Sequence, residues 1–152
     1  MVKEIPGCFY NDPEMTEIDL GSIDILGKEE CGEKWTELVS SKSRHLMRME
    51  EEWPCKLMKD NHLLYDWLND WNSDNIAPFK SVLEQKIALP SEAEIFFFWM
   101  KETGIRTTWS VFCRNWMNFL FEDEGCILVS PKFEPALLLS NGRSWKGLRS
   151  LL

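Results

Sequence analysis

Two neighbouring segments of the chain differ in hydrophobic period. EIFFFWMK (94–101) is a short and nearly continuous aromatic run, which is typical of an internal strand. In TTWSVFCRNWMNFLFEDEG (107–125) the apolar residues recur at steps of three and four, and Thr107 or Thr108 offers a hydroxyl N-cap. The stripe consists of Trp109, Phe112, Cys113, Trp116, Met117 and Leu120. A strand followed by an amphipathic helix predicts that these aromatic residues pack on the strand as core.

Three short strands are predicted after this helix. CILVS (126–130) ends at Pro131, ALLLS (136–140) follows, and RSWKGLR (143–149) comes last. Asn141-Gly142 supplies the two positive-φ residues of a type I′ turn. We therefore expect an antiparallel hairpin near the C-terminal end.

The N-terminal half is predicted to be mainly helical. Residues 1–32 mix Pro, Gly and acidic residues, which indicates irregular structure with short strands. One long helix is predicted from Glu33 to the residue before Pro54, a second from an Asp60 cap to about residue 73, and a third from Pro78 to before Leu89. The stripe of the first helix consists of Trp35, Val39, Lys42, Leu46, Met49 and Trp53.

These elements predict an α+β fold. A helical N-terminal half precedes a strand, a helix, a strand and a hairpin, which would form a small, mainly antiparallel sheet packed on helices. The 152 residues have the length of one domain and contain no linker rich in Gly, Ser or Pro. We expect a single domain over residues 1–152.

Charge is distributed unevenly along the chain. The net charge is −8; residues 1–102 hold 11 Lys and Arg against 21 Asp and Glu, and residues 103–152 hold 6 against 4. Without a basic run of five or more residues, nucleic-acid binding is not expected. An acidic surface favours a basic protein partner, although it can also serve solubility alone.

Cysteine usage and hydropathy indicate a compartment. Five cysteines without a CxxC pair fit neither a zinc ribbon nor a disulfide scaffold. The N-terminal residues lack the apolar core of a signal peptide, and no apolar run reaches 18 residues. These features predict a reducing, cytoplasmic location without a membrane span.

Catalytic motifs are not recognisable in the sequence. His45 and His62 are seventeen residues apart, and no HxxxH, HExxH, GxGxxG, GxxxxGK[ST] or GxSxG pattern occurs. A Cys/His pair assembled in space and an acid/base role for the Glu50–Glu52 or Glu122–Glu124 carboxylates stay open. We expect no enzyme activity, no metal and no cofactor.

Exposed acidic clusters are instead the predicted partner-binding residues. Some precede Pro54, others lie on the polar side of the second predicted helix, and the last follow the helix at 109–120. They are Glu50, Glu51, Glu52, Asp66, Asp70, Asp74, Asp123 and Glu124.

IRTTWSVFCRNWMNFLFEDEGCILVS (105–130) and SNGRSWKGLR (140–149) carry a resemblance. The pattern T-x-W-x-x-F, W-x-x-F-L, an acidic turn with Gly, an apolar strand and G-x-x-x-x-G resembles a family of small uncharacterised bacterial proteins. The tryptophan-rich acidic chain with its terminal hairpin is also similar to cytoplasmic immunity proteins. That resemblance implies stoichiometric binding to a toxin domain, often a cationic nuclease, whose basic groove is covered by acidic side chains.

Three functions follow as hypotheses. An immunity protein would bind one basic partner with salt-sensitive affinity. An adaptor would carry an exposed apolar patch, at Trp53, Trp71 or Trp145. A small enzyme would have a pocket with a histidine or carboxylate of shifted pKa. The immunity protein is the preferred hypothesis.

Overall fold

The centre of the fold is a seven-stranded antiparallel sheet. The computed structural model describes residues 19, 21–46, 49, 52–120 and 125–148, and within these the strand order is β1-β4-β3-β5-β6-β7-β2. The strands are β1 (Asp24–Ile25), β2 (Leu63–Asp66), β3 (Glu94–Met100), β4 (Thr103–Thr108), β5 (Cys126–Val129), β6 (Pro135–Ser140) and β7 (Arg143–Leu148). The predicted α+β class is confirmed.

Helices cover both faces of this sheet. They are α1 (Lys28–Leu38), α2 (Trp53–Leu57), α3 (Leu68–Asn72), α4 (Ala77–Lys86) and α5 (Trp109–Phe119), with a 3-10 turn at Asp60–His62. One apolar cluster joins Phe97 of β3 to α4 and α5, and a second joins Phe96 and Phe98 to α1. Because successive strand residues point to opposite faces, a strand covered on both sides must be apolar throughout. This explains the uninterrupted EIFFFWM run.

The predictions for the C-terminal half are largely confirmed. Strands β3, β5, β6 and β7 lie where they were expected, and α5 begins after Thr108, whose hydroxyl accepts from the backbone N–H of Val111 at 3.4 Å. Asn141 and Gly142 have φ of 51° and 83° in the β6–β7 turn. The third predicted helix corresponds to α4. The aromatics of α5 are core, since Trp109, Phe112 and Trp116 are buried.

The long helix predicted over residues 33–53 is wrong. Helix α1 ends at Leu38, and Ser40 redirects the chain: its hydroxyl accepts from the backbone N–H groups of Lys42 at 3.1 Å and Ser43 at 2.9 Å. A serine that bonds nearby backbone in this way competes with helix continuation. Four of the six residues in the predicted stripe are nevertheless core, because Trp35, Val39, Leu46 and Met49 lie in the second cluster, whereas Lys42 is exposed and Trp53 half-buried.

Two strands of the sheet were not predicted: β2 was assigned to a helix, and β4 was not recognised. Residues 63–66, expected in the second helix, form edge strand β2, in which Leu63 pairs with Trp145 and Tyr65 with Ser144. Strand β4 has the sequence TGIRTT, which lacks an apolar run, yet it pairs with β3 along its length. The N-terminal half is therefore not simply helical, since β1 and β2 form the two edges of the sheet.

Candidate interaction surface

Three of the eight predicted partner-binding acids lie within one short segment. Asp66 ends β2, Asp70 lies in α3, and Asp74 follows α3. We call residues 66–74 the acidic segment. Four other predicted acids, Glu50, Glu51, Asp123 and Glu124, lie outside the described residues.

A buried tryptophan anchors the acidic segment. The indole N–H of Trp67 donates to the carbonyl oxygen of Arg143 at 3.2 Å, and its ring packs edge-on against Trp71 and Trp116. The backbone N–H of Trp67 also donates to the carbonyl oxygen of Gly142 at 2.8 Å. These contacts attach the segment to the β6–β7 turn, while most of its polar side chains are exposed.

The carboxylate of Asp70 accepts a hydrogen bond from the hydroxyl of Tyr65 at 2.5 Å. Burial, this hydrogen bond and the negative charges of Asp70 and Asp66 raise the pKa of Tyr65 to about 12. The Tyr65 ring stacks on Phe79 with centroids 5.2 Å apart. Asp70 is therefore fixed in direction, which reduces the entropy that a partner would have to remove on binding it.

The other two acids are exposed. Asp66 accepts from the backbone N–H of Leu68 at 3.2 Å and lies opposite Arg143 in the β2–β7 ladder. Asp74, two residues after the end of α3, has a positive φ of 53°. Between them Leu68 packs on the β6–β7 turn yet keeps 46% of its surface exposed. An apolar side chain with charged neighbours is compatible with the apolar core and polar rim of a protein interface.

Glu52 has a different role from the one expected of it. Its two carboxylate oxygens accept hydrogen bonds from the hydroxyls of Ser40 and Ser43. Because those bonds hold the loop after α1 against the start of α2, the half-buried carboxylate is committed to the fold. Glu52 therefore supports the local fold and lies outside the acidic segment.

Helix α1 carries acids that the sequence reasoning did not select. Glu29, Glu33 and Glu37 are exposed and spaced by four residues, so they lie on one side of the helix. With Lys101 they line a shallow depression. The spacing was visible in the sequence, but the helix was expected to start at Glu33, so its first turn went unrecognised.

The two histidines considered for catalysis lie in different segments of the structure. His45 and His62 are both half-buried, one in the loop after α1 and the other in the 3-10 turn. Burial raises the pKa of the Cys31 and Cys113 thiols to about 12, which fits small apolar core residues. Across the described ranges, no group of three or more His, Cys, Asp or Glu side chains could hold a metal ion.

The tryptophans proposed for an adaptor surface are largely covered. Trp145 is buried, and Trp53 and Trp71 are half-buried against the two apolar clusters. The indole N–H of Trp53 also donates to the carbonyl oxygen of Val39 at 2.9 Å.

A membrane-spanning helix is not found within the residues that the structure describes, since none of their helices has the length and hydropathy that a bilayer requires.

The fold and this surface define an α+β protein with helices on both faces of an antiparallel sheet. The chain belongs to the DUF2947 family, which is described as a family of proteins of unknown function. The family model matches residues 8–147. The match includes the N-terminal half, which the resemblance drawn from the C-terminal motifs did not reach. No curated protein and no solved structure matches significantly, and no link to immunity proteins appears.

Proposed function

We propose that this protein binds a basic protein partner through the acidic segment without catalysing a reaction. In its specific form, the proposal is that it is a cytoplasmic immunity protein that neutralises a cognate toxin in competition between bacteria. The observation that carries the proposal is one short segment, anchored by the buried Trp67, that holds Asp66, Asp70 and Asp74 together with the exposed Leu68.

Negative charge on such a surface should speed association with a basic partner and disfavour acidic ones. Complementary potentials steer encounter and raise association rates toward about 10⁸ M⁻¹s⁻¹ at low salt. An inhibitor gains from fast association because it must occupy its target before the target acts. The net charge of −8 extends this attraction beyond the segment itself.

A toxin with a cationic substrate groove, such as a nuclease, fits this chemistry. Its lysines and arginines bind phosphates, and carboxylates can occupy the same positions. Leu68 would supply the desolvated centre around which the charge pairs form, as in interfaces where a few buried contacts dominate affinity.

Pull-down with this chain as bait, together with the product of the neighbouring reading frame, identifies the partner. We expect one basic protein, bound in equal stoichiometry, with affinity that falls as salt rises. Co-expression with that partner would suppress its toxicity. A neighbouring toxin whose activity persists in the presence of this chain would contradict the immunity form of the proposal.

A matched pair of variants tests the surface. Asp66→Asn/Asp74→Asn removes two charges from the acidic segment, and Glu29→Gln/Glu33→Gln removes the same number from α1. We expect the first pair to weaken binding by about tenfold to a hundredfold and the second by less than about threefold. Affinity that is insensitive to both salt and the first pair would exclude acidic masking and favour an apolar adaptor surface.

A further inference from the structure

A cleft of about 390 Å³ lies where the end of β7 meets the end of α4. Its lining residues come from the 3-10 turn, the end of α4, the start of β6 and the end of β7. They are His62, Lys86, Ile87, Ala88, Pro135, Lys146, Gly147 and Leu148. The cleft thus joins parts of the chain that are far apart in sequence.

The cleft is cationic in an acidic protein. Two lysines and a histidine line it, and no Asp or Glu is among its described lining residues. Neither Lys86 nor Lys146 has a carboxylate partner within the described parts of the chain, whereas Lys28, Lys34 and Lys80 each form an ion pair. The charged side chains among the described lining residues are therefore all basic.

One ammonium group of the cleft is fixed in position. Lys146 Nζ donates to the carbonyl oxygen of Lys86 at 2.7 Å, at the C-terminal end of α4. An ammonium group has three N–H donors, so two stay available to a ligand. A tethered cation with free donors loses less side-chain entropy on binding an anion than an unrestrained lysine does.

The remaining walls are apolar. Ile87 is buried beneath the cleft, and Pro135, Ala88 and Leu148 add hydrocarbon surface, with Leu148 exposed. An inorganic anion would pair with the lysine ammonium groups but would leave the apolar lining exposed to water. The volume is at the lower end of the range for small-molecule sites, about 300 to 1,000 Å³.

We infer that this cleft binds a small organic anion with one carboxylate group and a short aliphatic chain. The carboxylate contacts Lys146 and Lys86, His62 borders it, and the aliphatic chain lies against Ile87, Pro135 and Leu148. The site is separate from the acidic segment: Asp66 lies opposite Arg143 at the start of β7, about 13 Å along the strand from the cleft. The inference does not rest on the proposed function.

Titration of the full chain with sodium hexanoate, followed by amide chemical shifts and calorimetry, tests the site. We expect saturable binding with Kd of about 1 mM or tighter, and shift changes centred on Lys86, Ile87, Lys146 and Leu148. Inorganic phosphate and 1-hexanol, which have only the charge or only the chain, should each bind at least about tenfold more weakly.

Lys86→Gln removes one ammonium group but keeps the backbone carbonyl oxygen of residue 86, which accepts from Lys146. Lys146→Gln removes the ammonium group that makes this hydrogen bond. Each should weaken hexanoate binding by about tenfold, whereas Lys42→Gln, an exposed lysine outside the cleft, should change it by less than about twofold. An unchanged amide spectrum outside the cleft shows that each variant is folded. Lack of saturation by hexanoate, or equal affinity in all three variants, would overturn the inference.

Discussion

The guanidinium of Arg114 makes a two-point contact with the carboxylate of Asp19: Nη2 lies 2.7 Å from Oδ1, and Nε lies 3.2 Å from Oδ2. Asn115 Nδ2 donates to the same carboxylate at 2.9 Å and to the carbonyl oxygen of Val111 at 2.9 Å. Asn115 has non-helical φ and ψ of −127° and 27°, so this cluster lies at a kink in α5. It ties Asp19, only 4% exposed, to the helix that covers the sheet.

Asp19→Asn should lower the free energy of unfolding by about 2 kcal/mol at neutral pH, because charge-assisted hydrogen bonds to a buried carboxylate are lost. The hydrogen bonds from Arg114 hold the pKa of Asp19 below its usual value of 3.8. Its stabilisation is therefore complete above that value and is lost as pH falls through the lower folded pKa. Urea unfolding at neutral and acidic pH should show the difference between the two proteins shrink below about pH 4. Glu134→Gln, at an exposed carboxylate, is the control and should have little effect.

Ser40→Ala should destabilise the protein by about 1 to 3 kcal/mol, because it removes the acceptor for two backbone N–H groups and the donor to Glu52. Urea unfolding measures the loss, with Ser41→Ala at an exposed neighbour as control. Far-ultraviolet circular dichroism should show no gain in helix, since the packing of Trp35 and Leu46 still fixes the path of the chain. A helix that extended beyond Leu38 in the variant would contradict this account.

Gly147→Ala should cost about 1 to 3 kcal/mol through overpacking, because a Cβ there would lie 2.2 Å from Leu57 Cδ2. Leu57→Ala alone should cost about 2 to 5 kcal/mol, since Leu57 is buried. In the Leu57→Ala background the change at Gly147 should be neutral or stabilising. A double-mutant cycle by urea unfolding measures this coupling, and simple additivity would show that the two residues do not compete for space.

Cys31 and Cys113 should resist alkylation in the native protein. With pKa values of about 12, their thiolate fraction at pH 8 is about 10⁻⁴, and burial also blocks access. Cys55, which is half-buried, should react faster. Mass spectrometry after timed alkylation measures the order, and denaturant should remove the difference. Equal native rates would contradict the buried assignment.

The sequence pattern predicted correctly those elements that depend on neighbouring residues alone, namely turns with specific φ requirements and helices with a clear apolar period. The Asn141-Gly142 turn needs positive φ at both positions, and the stripe of α5 has a single helical period. The charge excess also follows from composition alone. Of the candidate surface, the sequence predicted that Asp66 and Asp74 are exposed, as they are, although it placed Asp66 on a helix and not at the end of a strand.

What the sequence could not determine depends on distant partners. Apolar residues at 35, 39, 46 and 49 are compatible with one long helix. They are equally compatible with the observed path, in which the helix ends at Leu38 and Ser40 contacts Glu52. Leu63 to Asp66 form a strand only because β7 offers an edge, and Lys146 meets Lys86 across sixty positions. Residue types and periods thus determined which side chains are core and which are charged. The tertiary structure decided which of them meet, because pairing energy between segments outweighs the small local preferences within each.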